Sequence, residues 1–72
     1  MASIVGKGVL HPYSQKLAFP EPVPVSCLPE LMKLPEIYRK SIIPVRNGKV
    51  LSLDELLHDD DEIFVFIAVM GG

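Results

Sequence analysis

The residues best suited to chemistry are Gly71 and Gly72, which follow the most hydrophobic stretch of the sequence, EIFVFIAV at residues 62–69. Glycine has no side chain, so a Gly-Gly tail adopts many backbone conformations and fits a channel too narrow for other residues. Such a tail would carry the carboxylate of Gly72 into the active site of another protein. Attack of that carboxylate on the α-phosphate of ATP would give an acyl-adenylate, which reacts with sulfur or nitrogen nucleophiles. The alternative is a frayed end with two incidental glycines.

Other residues with reactive or metal-binding side chains have simpler interpretations. Cys27 could be a redox or sulfur-relay thiol, but a lone cysteine at the start of an apolar helix is expected to be a buried packing residue. His11 and His58 lack the spacing of a metal-binding pair and are expected to be surface histidines. The acidic residues 59–62 could bind Mg²⁺ or a basic partner, although a solvated turn is the simpler expectation.

The sequence shows no phosphate-binding glycine loop and no spacing that indicates a nucleophile, a base and an orienting group. We therefore expect no catalytic residues, no metal site and no permanently bound cofactor, and predict that the protein is acted upon and is not an enzyme.

A net charge of −2 gives no electrostatic footprint for binding nucleic acid. The longest apolar stretch, residues 63–70, is far shorter than the roughly 20 residues of a membrane span. We recognise no export signal, and the single cysteine fits a cytoplasmic protein.

The chain of 72 residues has room for one domain. Prolines punctuate its first half and argue against a central strand there, so we predict a strand at residues 3–10 and an irregular edge strand at residues 16–25. Ser26 is predicted to cap a short helix, about two to three turns long, that Pro35 stops or tightens into a turn ending near Tyr38. The apolar face of this helix is formed by Leu28, Leu31 and Met32.

Patterns in the second half are clearer. Asn47 and Gly48 lie between two β-branched runs at residues 41–45 and 49–53, which predicts a hairpin with a type I′ turn. The remaining elements in chain order are a helical turn, a polar turn and a buried strand, at residues 53–57, 58–61 and 62–69. This order predicts an α+β fold in which one main helix packs across a mixed sheet of four to five strands.

The sequence resembles the MoaD/ThiS family of ubiquitin-like sulfur carriers over residues 25–72. The matching positions are Leu28, Leu31, Leu34-Pro35-Glu36, Val45, Asn47-Gly48, Leu53-Asp54, Leu57, Asp61-Glu62-Ile63 and Val69-Met70-Gly71-Gly72. The resemblance implies a β-grasp domain over residues 1–70, with residues 71–72 as a flexible C-terminal tail. The sequence departs from the family in having Asp60 where the turn usually has glycine, and no proline shortly before the tail.

The resemblance also implies a function. In that family a MoeB/ThiF-type adenylyltransferase uses ATP to adenylate the terminal glycine, which is then converted to a thiocarboxylate. A synthase with a MoaE- or ThiG-like large subunit takes the sulfur for molybdopterin or the thiazole of thiamin. By this resemblance Gly72 would carry the sulfur and Gly71 would be its flexible approach. Two other hypotheses stay open, a covalent modifier joined through Gly72 to a lysine of a target, and an interaction module with an idle tail.

The last predicted strand also suggests a docking surface. Alternation along it puts Phe64 and Phe66 on one face, and on the other face three aliphatic residues, Ile63, Val65 and Ile67. If the fold of the family applies, Phe64 and Phe66 form an exposed patch beside the tail and bind the partner together with Met70. The alternative is that a loop from the first half of the chain covers both phenylalanines.

Overall fold

The computed structural model of the protein describes residues 1–68, and residues 69–72 lie outside the described part. Seven strands are present within residues 1–68: β1 (Ala2–Gly6), β2 (Gln15–Leu17), β3 (Val23–Pro24), β4 (Ile42–Arg46), β5 (Lys49–Val50), β6 (Leu56–Leu57) and β7 (Glu62–Ile67). Helical structure over the same range comprises two 3₁₀ segments, Gly8–Tyr13 and Val25–Cys27, and two single α-turns, α1 (Leu28–Leu31) and α2 (Glu36–Arg39).

The main sheet has the strand order β2-β1-β7-β4-β5, so β7 lies at its centre. This strand runs parallel to β1 and antiparallel to β4, which makes the sheet mixed. The short strands β3 and β6 form a separate two-stranded ladder. The prediction of an α+β protein with a mixed sheet is therefore confirmed.

The first predicted strand is shorter than expected because the backbone folds over itself after Gly6. The amide of Gly6 donates to the side-chain hydroxyl of Ser14 at 2.9 Å, and Gly8 has a φ of +61°, a conformation that glycine adopts without strain. Residues from Gly8 onward form a 3₁₀ helix that places Leu10 in the core. The predicted edge strand at residues 16–25 divides, because β2 pairs with β1 whereas β3 pairs with β6.

The prediction of one main helix from Ser26 to near Tyr38 is wrong. Val25 starts a 3₁₀ segment and α1 adds a single turn, with no side-chain cap at either start. Lys33 then takes a φ of +58°, a left-handed conformation in which a helix cannot continue. This break returns Leu34 to the core, and the chain begins α2 only after Pro35.

The hairpin prediction is confirmed, since β4 and β5 are joined by Asn47 and Gly48 with φ angles of +54° and +76°. Of the helical turn predicted at residues 53–57, only a turn at residues 52–55 is present, closed by a 3.2 Å hydrogen bond from the Glu55 amide to the Ser52 carbonyl. Leu57 instead extends in β6 and pairs with Val23, which buries its side chain. The polar turn at residues 58–61 is confirmed by a hydrogen bond of 3.1 Å from the Asp61 amide to the His58 carbonyl.

One face of the main sheet packs on the irregular segments to form the core. Its buried apolar residues are Ala2, Ile4, Leu10, Phe19, Val25, Leu28, Met32, Leu34, Leu51, Leu57, Ile63 and Val65. The predicted apolar face of the helical region is only partly buried, because Leu28 and Met32 lie in this core whereas Leu31 is exposed. Among residues 1–68, no helix has the length and apolar character needed to cross a membrane.

Candidate docking site beside the last strand

The described chain leaves the sheet from its central strand, between the two neighbouring strands. On one side the amide of Lys7 donates to the Val65 carbonyl at 2.9 Å, and on the other the amide of Ala68 donates to the Ser41 carbonyl at 2.7 Å. Hydrogen bonding therefore reaches Val65 on the β1 side of β7 and continues past Ile67 on the β4 side. This end of the sheet, made by Lys7, Ser41 and Ala68, is called the exit end below.

The side chains of β7 alternate between the core and the solvent face, as the pattern predicts. Ile63 and Val65 are fully buried, Phe64 is half-buried and Phe66 is 40% exposed. The Nζ of Lys7 lies 5.2 Å from the centroid of the Phe64 ring, a distance suited to a cation–π contact. The first half of the chain thus shelters Phe64 in part and leaves Phe66 accessible.

A depression of about 260 Å³ lies beside Phe66 at the exit end. It is lined by Lys7, Gly8, Val9, Phe66 and Ile67. Val9 is 57% exposed and directly follows Gly8, which has a positive φ. The combination of an exposed aromatic ring, an exposed valine and a small hollow is suited to receiving an apolar side chain from another molecule.

The register of the sheet extends this apolar surface away from the depression. Val5 and Val45 are paired with Phe64, and Ile43 is paired with Phe66. Directly paired residues share a face of a sheet, so these three aliphatic residues lie on the same side as the phenylalanines, and all three are half-buried. The solvent face of the sheet is therefore predominantly apolar around β7.

Sequence reasoning did not identify Lys7 and Val9 as parts of this surface, because both fall within the predicted strand at residues 3–10. The available signal was the pair of glycines at positions 6 and 8, which argues for a turn. The tail residues Gly71 and Gly72 and the predicted contact residue Met70 lie outside the described residues. Their predicted roles stay predictions.

Cys27 is exposed, so the expectation that it is a buried packing residue is wrong. It is the last residue of the second 3₁₀ segment, and the core position at this point is taken by Leu28. His11 and His58 are both exposed, as predicted.

Two of the acidic residues 59–62, Asp59 and Asp61, are used within the protein. A carboxylate oxygen of Asp59 accepts from the Phe19 amide at 2.8 Å, and the other lies 3.4 Å from the N-terminal amine of Met1. The bond from Phe19 is the main cause that lowers the pKa of Asp59, with the positive N-terminus adding to it. Within residues 1–68, no group of three or more candidate ligands is arranged to hold a metal ion.

Asp61 is the centre of a second polar cluster. One of its carboxylate oxygens accepts from Arg46 at 2.7 Å and from the His58 amide at 2.8 Å. Burial acts to raise the pKa of Asp61, but these bonds and the charge of Arg46 outweigh it and lower the pKa. Arg46 also donates to the Leu56 carbonyl at 2.9 Å. The cluster therefore ties the polar turn to β4 and β6.

The described fold and surface define a class, an α+β protein with a mixed five-stranded sheet whose central strand ends beside an apolar, partly exposed face. The sequence matches no model of a known protein family and no curated protein.

Proposed function

We propose that this protein is a sulfur carrier with a β-grasp fold, in which the carboxylate of Gly72 is adenylated and converted to a thiocarboxylate. The observation that supports the proposal best is the position of β7. It is the central strand of the sheet, it carries the exposed Phe66, and it leads at Ala68 into the segment that ends Gly71-Gly72. The resemblance to MoaD/ThiS carriers over residues 25–72 supports the same function.

The exit end is suited to presenting this segment. Ala68 is held by its hydrogen bond to Ser41, so the residues after it start from a fixed point on the body of the protein. Four residues in extended form span at most about 14 Å. This length is enough for a carboxylate to reach an active site recessed in a partner while the face around Phe64 and Phe66 contacts the rim.

The chemistry needs no catalytic group from this chain. A carboxylate oxygen of Gly72 attacks the α-phosphorus of ATP, pyrophosphate leaves, and an acyl-adenylate forms. Hydrosulfide then attacks the carbonyl carbon, the bond from that carbon to the phosphate oxygen breaks, AMP leaves, and loss of the proton on sulfur gives the thiocarboxylate. A MoeB/ThiF-type adenylyltransferase would supply the ATP site, and a synthase with a MoaE- or ThiG-like subunit would consume the sulfur.

The test is to incubate the protein with a MoeB/ThiF-type adenylyltransferase, ATP and a sulfide source, and to measure its intact mass. We expect replacement of one oxygen by sulfur, located at Gly72 by fragmentation. Deletion of Gly71 and Gly72 should abolish the change, whereas Cys27→Ser should leave it intact and so exclude sulfur bound to the thiol. Absence of the mass change with several such enzymes would contradict the proposal. Isopeptide-linked Gly72 recovered from cells would favour a protein modifier instead.

A further inference from the structure

The two ends of the central strand differ in their charged groups. Four carboxylates, at residues 59–62, immediately precede or begin β7. At the other end, Lys7 directly follows β1 and Lys40 lies two residues before β4. Because β7 lies between β1 and β4, the chain leaves the sheet between these two lysines.

The two lysines differ from the arginines of the protein in their contacts. Arg46 is engaged by Asp61, Glu55 and the Leu56 carbonyl, and Arg39 donates to the Leu34 carbonyl at 2.9 Å. Lys7 and Lys40 are exposed, and neither forms an ion pair with a carboxylate among residues 1–68. Their charges can therefore interact with carboxylates of a partner protein.

The apolar depression beside Phe66 lies at this same end, with Lys7 in its wall. We propose that the exit end docks on a protein surface in which an apolar side chain is surrounded by Asp and Glu residues. This inference rests on the proposed function, and it commits to the protein that receives the tail, the adenylyltransferase, as the occupant. The apolar side chain would fill the hollow between Val9 and Phe66, and the carboxylates would meet Lys7 and Lys40.

The charge distribution explains how such a partner would be oriented. An acidic surface is attracted by the exit end, whereas at the opposite end Asp59 and Asp61 are already paired with the N-terminal amine and with Arg46. Encounters that present Gly72 to the partner are therefore favoured over the reverse ones. Electrostatic attraction of this kind acts mainly on the association rate and weakens as salt screens it. The apolar contact acts mainly on the dissociation rate.

The experiment measures the association rate constant between the adenylyltransferase and charge-reversal variants of this protein. Lys7→Glu combined with Lys40→Glu should lower the constant about tenfold or more at low salt, and the difference should shrink at about 0.5 M salt. The control is Lys49→Glu combined with Lys16→Glu, which changes the net charge by the same amount. Lys49 follows the hairpin turn and Lys16 is paired with Ser3 near the start of β7, so both lie away from the exit end. This matched variant should change the constant less than about threefold.

Repeating the measurement with Gly71 and Gly72 deleted separates this inference from the proposed function. Slower association of the lysine variants without the tail, even where no thiocarboxylate forms, supports the docking inference. Normal thiocarboxylate formation with equal rates for the exit-end and control variants overturns it and leaves the proposed function standing. Absence of binding by every variant overturns it, as does association driven by a second copy of the chain, detected by sedimentation at low salt.

Discussion

At the residue scale, Val65 and Phe66 show how neighbouring residues of one strand serve different purposes. Val65 is fully buried and Phe66 is 40% exposed, because consecutive side chains in a strand point to opposite faces of the sheet. Val65 is paired with Pro44 and Phe66 with Ile43. We therefore expect Val65 to contribute mainly to stability and Phe66 mainly to partner binding.

We predict that Val65→Ala lowers the free energy of unfolding by about 2 kcal/mol, since it removes buried methyl groups and leaves a cavity. Phe66→Ala should lower it by less than about 1 kcal/mol, since the ring is partly solvated and no cavity forms. Urea unfolding followed by circular dichroism measures both values. A larger loss for Phe66→Ala than for Val65→Ala would mean that the solvent face, and not the core face, carries the packing energy.

At the element scale, the end of β1 depends on a position that only glycine can occupy. A Cβ built on Gly6 would lie 2.0 Å from the carbonyl oxygen of Leu10, far inside van der Waals contact. That carbonyl belongs to the 3₁₀ segment Gly8–Tyr13, which folds back onto the strand. The same fold-back brings Val9 to the docking surface, so the absence of a side chain at Gly6 is needed for the site as well as for the core.

We predict that Gly6→Ala destabilises the protein by about 3 kcal/mol or more, because backbone must move to remove the clash. Gly8→Ala is the matched control. Nothing lies within 4 Å of a Cβ at Gly8, so only its positive φ is penalised, at about 1–2 kcal/mol. Urea unfolding of both variants provides the comparison. Equal losses would show that the segment after β1 moves away without cost.

The sequence predicted those elements whose signals are local. The type I′ turn at Asn47-Gly48 requires positive φ angles at both positions, and the alternation along β7 sets its two faces. The helix prediction failed because helical spacing at Leu28, Leu31 and Met32 gives no sign of the left-handed turn at Lys33. That turn is favoured by burial of Leu34, a tertiary effect that local propensity does not contain.

The candidate site divides in the same way. Phe64 and Phe66 could be placed from alternation, because a strand has a fixed period of two. Lys7 and Val9 could not, because their position depends on the fold-back over Gly6 and on the parallel pairing of β1 with β7. Such pairing joins residues more than fifty positions apart in the sequence, which no local pattern specifies.

At the scale of the whole molecule, Asp59 and Asp61 connect segments that are distant in sequence, and Glu55 holds a local turn. Asp59 holds the Phe19 amide, and Asp61 holds Arg46 of β4. Glu55 accepts from the Ser52 amide at 2.7 Å, and this bond is the main cause that lowers its pKa. The pKa values of all three groups are lowered in the folded protein, so the charged forms are stabilised by folding.

The direction of the pH dependence follows from these shifts. A carboxylate whose pKa is lowered by folding contributes stability that is complete above its unfolded pKa, near 4, and is lost as pH falls through the folded pKa. We therefore predict that these three groups do not change the free energy of unfolding between about pH 7 and pH 5. Below about pH 4.5 their protonation should lower it. Asp59→Asn combined with Asp61→Asn should lower stability at pH 7 and flatten the fall in acid, as measured by urea unfolding at each pH.

The matched control is Asp54→Asn combined with Asp60→Asn, because both residues are exposed and accept no hydrogen bond from the described side chains or amides. This control should keep the acid dependence of the parent protein. If the stability of the double variant at Asp59 and Asp61 falls as steeply in acid as that of the parent, other groups drive acid unfolding.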